Sequence, residues 1–273
     1  MCIKISRKLM YQEAKKMLQS LFSLPELEKI IIKGVQIASL EDEHNISRAF
    51  HNCYHDMYSD VDIEMKIELN QSEYNSTSPI YADCLARLGL DNDILGMSHY
   101  CTEERGEVIR LCKTNGMRFD LIISAECREG IPLLPHSNIS EDMEKINNFW
   151  FVAVQALGKL MRKDYLIASH LAHMLIQEGL VLQMIIRDNE KNTNYHRFGY
   201  EEELEYLTIL NQEDISFANT SDDKFNHIAR LLYSAVKSYD ILRLSFKDSL
   251  YKSRLENYLE IWSCYHENRS KHN

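Results

Sequence analysis

The chain has 273 residues, 45% of them hydrophobic, and carries a formal net charge of −10 at neutral pH with a pI near 5.6. That length and apolar content suffice for a sizeable core and point to two domains. The acidity argues against a nucleic-acid backbone as the main partner, since such binders carry a basic stripe, and no apolar run reaches the roughly 18 residues of a membrane span.

Taken in order, the first residues, Met1-Cys2-Ile3-Lys4-Ile5-Ser6-Arg7-Lys8, lack the apolar core of a signal peptide. A cytoplasmic protein without a membrane partner is therefore expected. From Leu9 to Phe22 the residues Met10, Ala14, Met17, Leu18 and Leu21 recur at helical spacing, and Pro25 ends or restarts that helix. The run from Lys29 to Ala38, rich in Ile and Val, reads as one central strand. Leu40 to Tyr58 is polar, with His44, His51 and His55. His51 and His55 would share a face on a helix, but no third metal ligand stands out, so a polar excursion near the mouth of a site is the plainer reading.

The stretch Tyr58-Ser59-Asp60-Val61-Asp62-Ile63-Glu64-Met65-Lys66-Ile67 alternates charged and apolar residues. Period-2 alternation marks a strand with two unlike faces. Asp60, Asp62 and Glu64 then point one way, and Val61, Ile63, Met65 and Ile67 point into a core. Like charges held side by side repel. A divalent cation such as Mg²⁺, which prefers carboxylate oxygens and brings phosphates with it, offsets that cost. An edge strand with a wet acidic face fits the same pattern.

A loop follows at 70–79 and a short helix between Ile80 and Leu95, then a variable stretch to Gly106. Val108–Lys113 and Met117–Ile123 read as a hairpin about Gly116. If that hairpin lies beside the Asp60–Asp62 strand, Asp120 joins the other two carboxylates. Three carboxylates on adjacent strands suit one or two Mg²⁺ ions and an in-line phosphoryl or nucleotidyl displacement. Glu126 has the parity of Asp120.

Gly130, Pro132 and Pro135 mark a boundary, and Ser140 reads as the cap of the next helix. The expected domains are 1–139, holding the sheet, and 140–273, an all-helical half. Asn147–Lys163 has an apolar face that includes Trp150. Tyr165–Arg187 is apolar on most sides and reads as buried mid-bundle. Glu201–Asn211 is a shorter helix, Ser221 caps a helix from Asp222 to Leu244, and Lys252–Tyr265 is the last helix. Trp150 and Trp262 read as core at their helical spacing. The seven cysteines are scattered, with no Cys-x-x-Cys, and read as reduced thiols rather than a zinc site.

Ser59-Asp60-Val61-Asp62, followed by the apolar–Asp–apolar strand Arg118-Phe119-Asp120-Leu121-Ile122-Ile123, resembles the nucleotidyltransferase fold of the DNA polymerase beta superfamily. The helical half, with Asn148-Phe149-Trp150-Phe151 and Gly158-Lys159-Leu160-Met161-Arg162-Lys163-Asp164-Tyr165, is similar in pattern to its antibiotic nucleotidyltransferases, which adenylylate lincosamides and aminoglycosides. The resemblance implies an α+β fold: an N-terminal nucleotidyltransferase domain with a mixed β-sheet, then a C-terminal helical bundle that binds substrate. It implies a cytoplasmic adenylyltransferase that moves AMP from ATP to a hydroxyl of a small molecule, using Mg²⁺ held by Asp60, Asp62 and Asp120. It also implies Lys159 near the phosphates, on one helix face with Lys163, and homodimers are frequent among such enzymes. Glu126, Asp164 and Glu178 are open as a separate general base.

The family's Gly-Ser before the Asp-x-Asp, which grips nucleotide phosphates, is missing. Ser47, preceded by Ile46, lies at a family-like distance from Asp60 and is taken for that role; Ser39 follows the first strand but lies farther off. Without the Gly, close backbone approach to a phosphate is in question. Two other readings stand beside the enzyme: a degenerate member that binds nucleotide or a partner without transfer, and an unrelated α+β binding protein whose acids are surface residues.

Overall fold

In the computed structural model, the described residues are 7–24, 27–53, 56, 58–69, 93–102, 106–127, 141–191, 221–245 and 251–269. The fold is α+β, with a mixed six-stranded sheet and helices. The chain forms two compact units, essentially 3–151 and 152–273.

The first unit opens with helix α1 (Arg7–Phe22), whose Met10, Ala14, Met17, Leu18 and Leu21 are buried as their spacing predicts. The single strand expected at 29–38 is instead a hairpin, β1 (Leu27–Ile32) and β2 (Val35–Ile37). Lys33 and Gly34 break it, with φ of 46° and 74°. Two successive positive φ values make a two-residue turn whose twist matches the flanking strands. Helix α2 (Glu43–Cys53) follows, then β3 (Asp60–Leu69), β4 (Ile94–Thr102), β5 (Gly106–Lys113) and β6 (Arg118–Cys127). The strand β4 occupies part of the stretch that reads as variable in sequence. Of the helix expected within 80–95, residues 80–92 lie outside the described residues, and Ile94 and Leu95 belong to β4.

The sheet order is β2-β1-β3-β6-β5-β4. Only β3 and β6 run parallel; the other pairs are antiparallel. Val61, Ile63 and Met65 of β3, Phe119, Leu121 and Ile123 of β6, and Ile109 and Leu111 of β5 share one face and are all but inaccessible. Lys113 has the same parity on β5, and its Nζ meets Glu13 Oε2 of α1 at 2.6 Å, tying helix to sheet. On the opposite face, helix α3 (Glu141–Met161) lies against β4 at Gly96. A Cβ built on Gly96 would stand 2.2 Å from the Phe151 backbone nitrogen, so only glycine allows this approach.

In the second unit, α3 ends at Met161, and Lys163 adopts a left-handed φ of 63° while donating its N–H to the Leu160 carbonyl at 3.0 Å. Lys159 and Lys163 therefore do not share a helix face, contrary to the sequence expectation. Asp164 leads into α4 (Tyr165–Lys191), which packs on α5 (Asp223–Ser245); Ala168, Ala172, Leu175 and Leu182 of α4 are buried. The expectation that α4 is buried on most sides fails: Leu166, Ile167, Met174, Val181 and Met184 are exposed. By length and composition α4 is the one helix among the described residues long and apolar enough to cross a membrane, although no unbroken apolar run marks it. It carries His170, His173, Gln177 and Glu178 midway along, groups that are costly in hydrocarbon.

Asp222, not Ser221, caps α5: its Oδ1 accepts the N–H groups of Lys224 and Phe225, each at 3.1 Å. Buried Asp240 accepts hydrogen bonds from Tyr251 Oη (2.6 Å), Ser253 Oγ (2.7 Å) and the Arg254 N–H (3.2 Å), which fastens the approach to α6 (Leu255–Arg269) onto α5. Trp150 and Trp262 are fully buried, as expected. Cys53 and Cys112 are free and buried. Cys264 is disulfide-bonded, which corrects the reading of all seven cysteines as reduced thiols: the fold joins sulfurs that the spacing leaves unrelated. The helix expected at 201–211 lies outside the described residues.

Candidate functional site

The acidic face is built by strand register. Asp62 lies directly opposite Asp120 on the parallel pair β3 and β6, and Asp60 lies opposite Arg118. Residues in register on adjacent strands project to one side, so the three carboxylates share a face. The chain enters β3 through a turn organised by Asp56, whose Oδ1 accepts the Tyr58 N–H at 2.9 Å and the Ser59 hydroxyl at 3.0 Å. Arg118 donates from its guanidinium to the Tyr58 carbonyl, clamping that turn to β6. The β5–β6 hairpin closes through the Lys113 N–H bond to the Met117 carbonyl at 2.8 Å, with the Asn115 side chain accepting the Met117 N–H at 3.0 Å.

That hairpin register brings in a residue the sequence reading did not single out. Arg110 of β5 pairs directly with Asp120. Its Nε–H donates to Asp120 Oδ2 at 2.8 Å, and one terminal nitrogen lies 3.7 Å from Asp60 Oδ2. Its guanidinium carbon sits 5.0 Å from the centre of the Phe151 ring, within the first unit. Arg118 approaches Asp60 Oδ2 at 3.8 Å, and Lys33, at the turn of the β1–β2 hairpin, hydrogen-bonds Asp62. Three carboxylates thus meet three cations. The carboxylate side chains are 35%, 29% and 15% exposed for Asp60, Asp62 and Asp120. The alternation of β5 and the turn about Gly116 carried the signal for Arg110, since counting back from that turn sets it opposite Asp120.

Burial pushes the Asp120 carboxyl above its ordinary value, and the charge of Asp60 adds to this; Arg110 pulls the other way without cancelling it. Asp120 Oδ1 is buried and accepts no hydrogen bond from the protein. Burial pushes the nearby Cys53 thiol to about 11, so it is protonated and inert at neutral pH.

In donor chemistry the face fits a hard divalent cation: three carboxylates from adjacent strands, one with a buried oxygen lacking a donor. As positioned, however, no group of three or more His, Cys, Asp or Glu among the described residues is arranged to hold a metal ion. The internal cations occupy the carboxylates instead.

Ser47 is exposed within α2, away from any strand end, whereas Ser39 lies between the end of β2 and the start of α2. Helix α2 separates β2 from β3, so distance along the chain to Asp60 does not mark the residue that follows a strand. Lys159 belongs to the second unit, with Nζ 3.5 Å from Asp164 Oδ2. Asp164 Oδ1 faces the Ile167 N–H at 3.5 Å, a cap position, and Glu178 is exposed on α4. The side chain of Glu126 and all of His55 lie outside the described residues; His51 is exposed on α2. No known family's sequence profile matches the chain, and no curated protein matches it in sequence.

Proposed function

We propose that the face formed by Asp60, Asp62 and Asp120 binds Mg²⁺ and ATP, and that the protein transfers AMP to a hydroxyl of a small molecule. The observation that carries this is the register of β3 and β6, which sets Asp62 opposite Asp120 with Asp60 on the same side. Mg²⁺ when bound would offset the charge of the phosphates. Asp60, Asp62 and Asp120 would hold it. Asp120 would also accept the proton of the attacking hydroxyl. That oxygen bonds the α-phosphorus as the bond to pyrophosphate breaks. The helical half resembles enzymes acting on antibiotics, so a lincosamide or aminoglycoside is the favoured acceptor.

A second reading, a nucleotide binder without transfer, is favoured by the three cations already neutralising the carboxylates. Pyrophosphate release from Mg²⁺-ATP, measured across a panel of lincosamides and aminoglycosides, separates the two. Transfer predicts release that depends on one drug class and falls at least ~100-fold in Asp62→Asn. Silence across the panel with Mg²⁺-dependent ATP binding intact supports the second reading, and no ATP binding at all rejects both.

A further inference from the structure

We infer that Arg110 is an internal counterion that competes with the divalent cation for Asp120 and Asp60, so that its charge weakens cation binding to this face. The inference rests on the proposed metal-nucleotide reading of this face. Arg110 bridges the two carboxylates, bonded to Asp120 Oδ2 at 2.8 Å and 3.7 Å from Asp60 Oδ2. A guanidinium and a hard cation on one carboxylate oppose each other: the hydrogen bond takes up part of its lone-pair capacity, and the two positive charges repel. Asp120 keeps a second, buried oxygen without a donor, so this carboxylate is only half used by Arg110. The side chain of Arg110 is 24% exposed and lies over the Phe151 ring, its guanidinium carbon 5.0 Å from the ring centre. Arg118 and Lys33 differ from it. Arg118 is buried and bound to the Tyr58 carbonyl, so it stays, and Lys33 pairs with Asp62.

Arg110 in place matches the charge of Asp120, and that charge is uncovered when Arg110 moves off. The arginine therefore sets the cation concentration at which the site loads. It also keeps like charges from destabilising the empty protein.

The test is Mn²⁺ binding to the full chain, read by the electron paramagnetic resonance signal of free Mn²⁺, without nucleotide or turnover. Arg110→Gln should bind Mn²⁺ about ten-fold more tightly than wild type. Arg110→Lys keeps the charge but not the fork, and should show a smaller gain in the same direction. It carries the test if the Gln variant does not fold. Asp120→Asn added to either variant should remove the gain. If wild type binds Mn²⁺ and neither Arg110 variant binds it more tightly, the inference is overturned and the metal reading stands. If wild type and both variants fail to bind Mn²⁺ at millimolar concentration, with or without ATP, the metal reading falls and the inference with it.

Discussion

Asp120 has two opposed influences acting on one carboxyl. Burial and the charge of Asp60 raise it, while Arg110 holds a formal ion pair with it. Burial wins, because taking a carboxylate out of water costs more than one partially exposed arginine returns. The consequence for stability has a definite sign. A raised carboxyl binds its proton more tightly in the folded state, so wild type should gain on Asp120→Asn as the pH falls from neutral toward the ordinary aspartate value of 3.8. Urea midpoints of both proteins across that range check this. A gap that moves against wild type on acidification would mean that Arg110 dominates after all.

At the scale of elements, one contact on each face of the sheet shows how a helix is held to it. On one face, Gly96 lets the backbone of α3 rest on β4. Gly96→Ala should cost about 3 kcal/mol, since its methyl meets rigid backbone rather than a side chain that can turn away. Thermal or urea unfolding measures it. On the other face, Glu13 of α1 bonds Lys113 at 2.6 Å and Lys16 at 2.6 Å, and Lys113 also reaches Asp93 at 2.7 Å. Glu13→Gln should cost about 2 kcal/mol, less than a fully broken buried pair because Lys113 keeps Asp93.

For the molecule as a whole, the net charge of −10 does not describe the acidic face, where the carboxylates are matched by cations. Acid sensitivity follows from individual groups rather than from the total. Burial alone would raise Glu13, but hydrogen bonds from Lys113 and Lys16 outweigh it and hold it below its ordinary 4.5. Its stabilisation is therefore full above 4.5 and lost as the pH falls through the lowered value. The advantage of wild type over Glu13→Gln should stay level from neutral down to about 4.5 and shrink below it, opposite in direction to the Asp120 comparison. Denaturation curves for both pairs in one buffer series distinguish the two signs.

Much of the acidic face was legible in the chain. Alternation set Asp60 and Asp62 on one side of β3, the turn about Gly116 set the β5–β6 hairpin, and periodicity buried Trp150, Trp262 and the inner side of α1, because these depend on local spacing and on the drive to bury apolar surface. Long-range pairing was not legible in that way. The hairpin at Lys33 and Gly34 needed two left-handed residues inside an Ile-rich run, and the half-exposed α4 showed that an apolar helix need not be central. The parallel pairing of β3 with β6 joins residues about sixty positions apart, and it puts Asp120 opposite Asp62, with Arg110 on the next strand. The sequence by itself determined which residues are acidic, which are apolar and which strand faces they share. Only the tertiary structure decided which charges meet, because Coulomb interactions depend on distances that strand order, not chain order, sets.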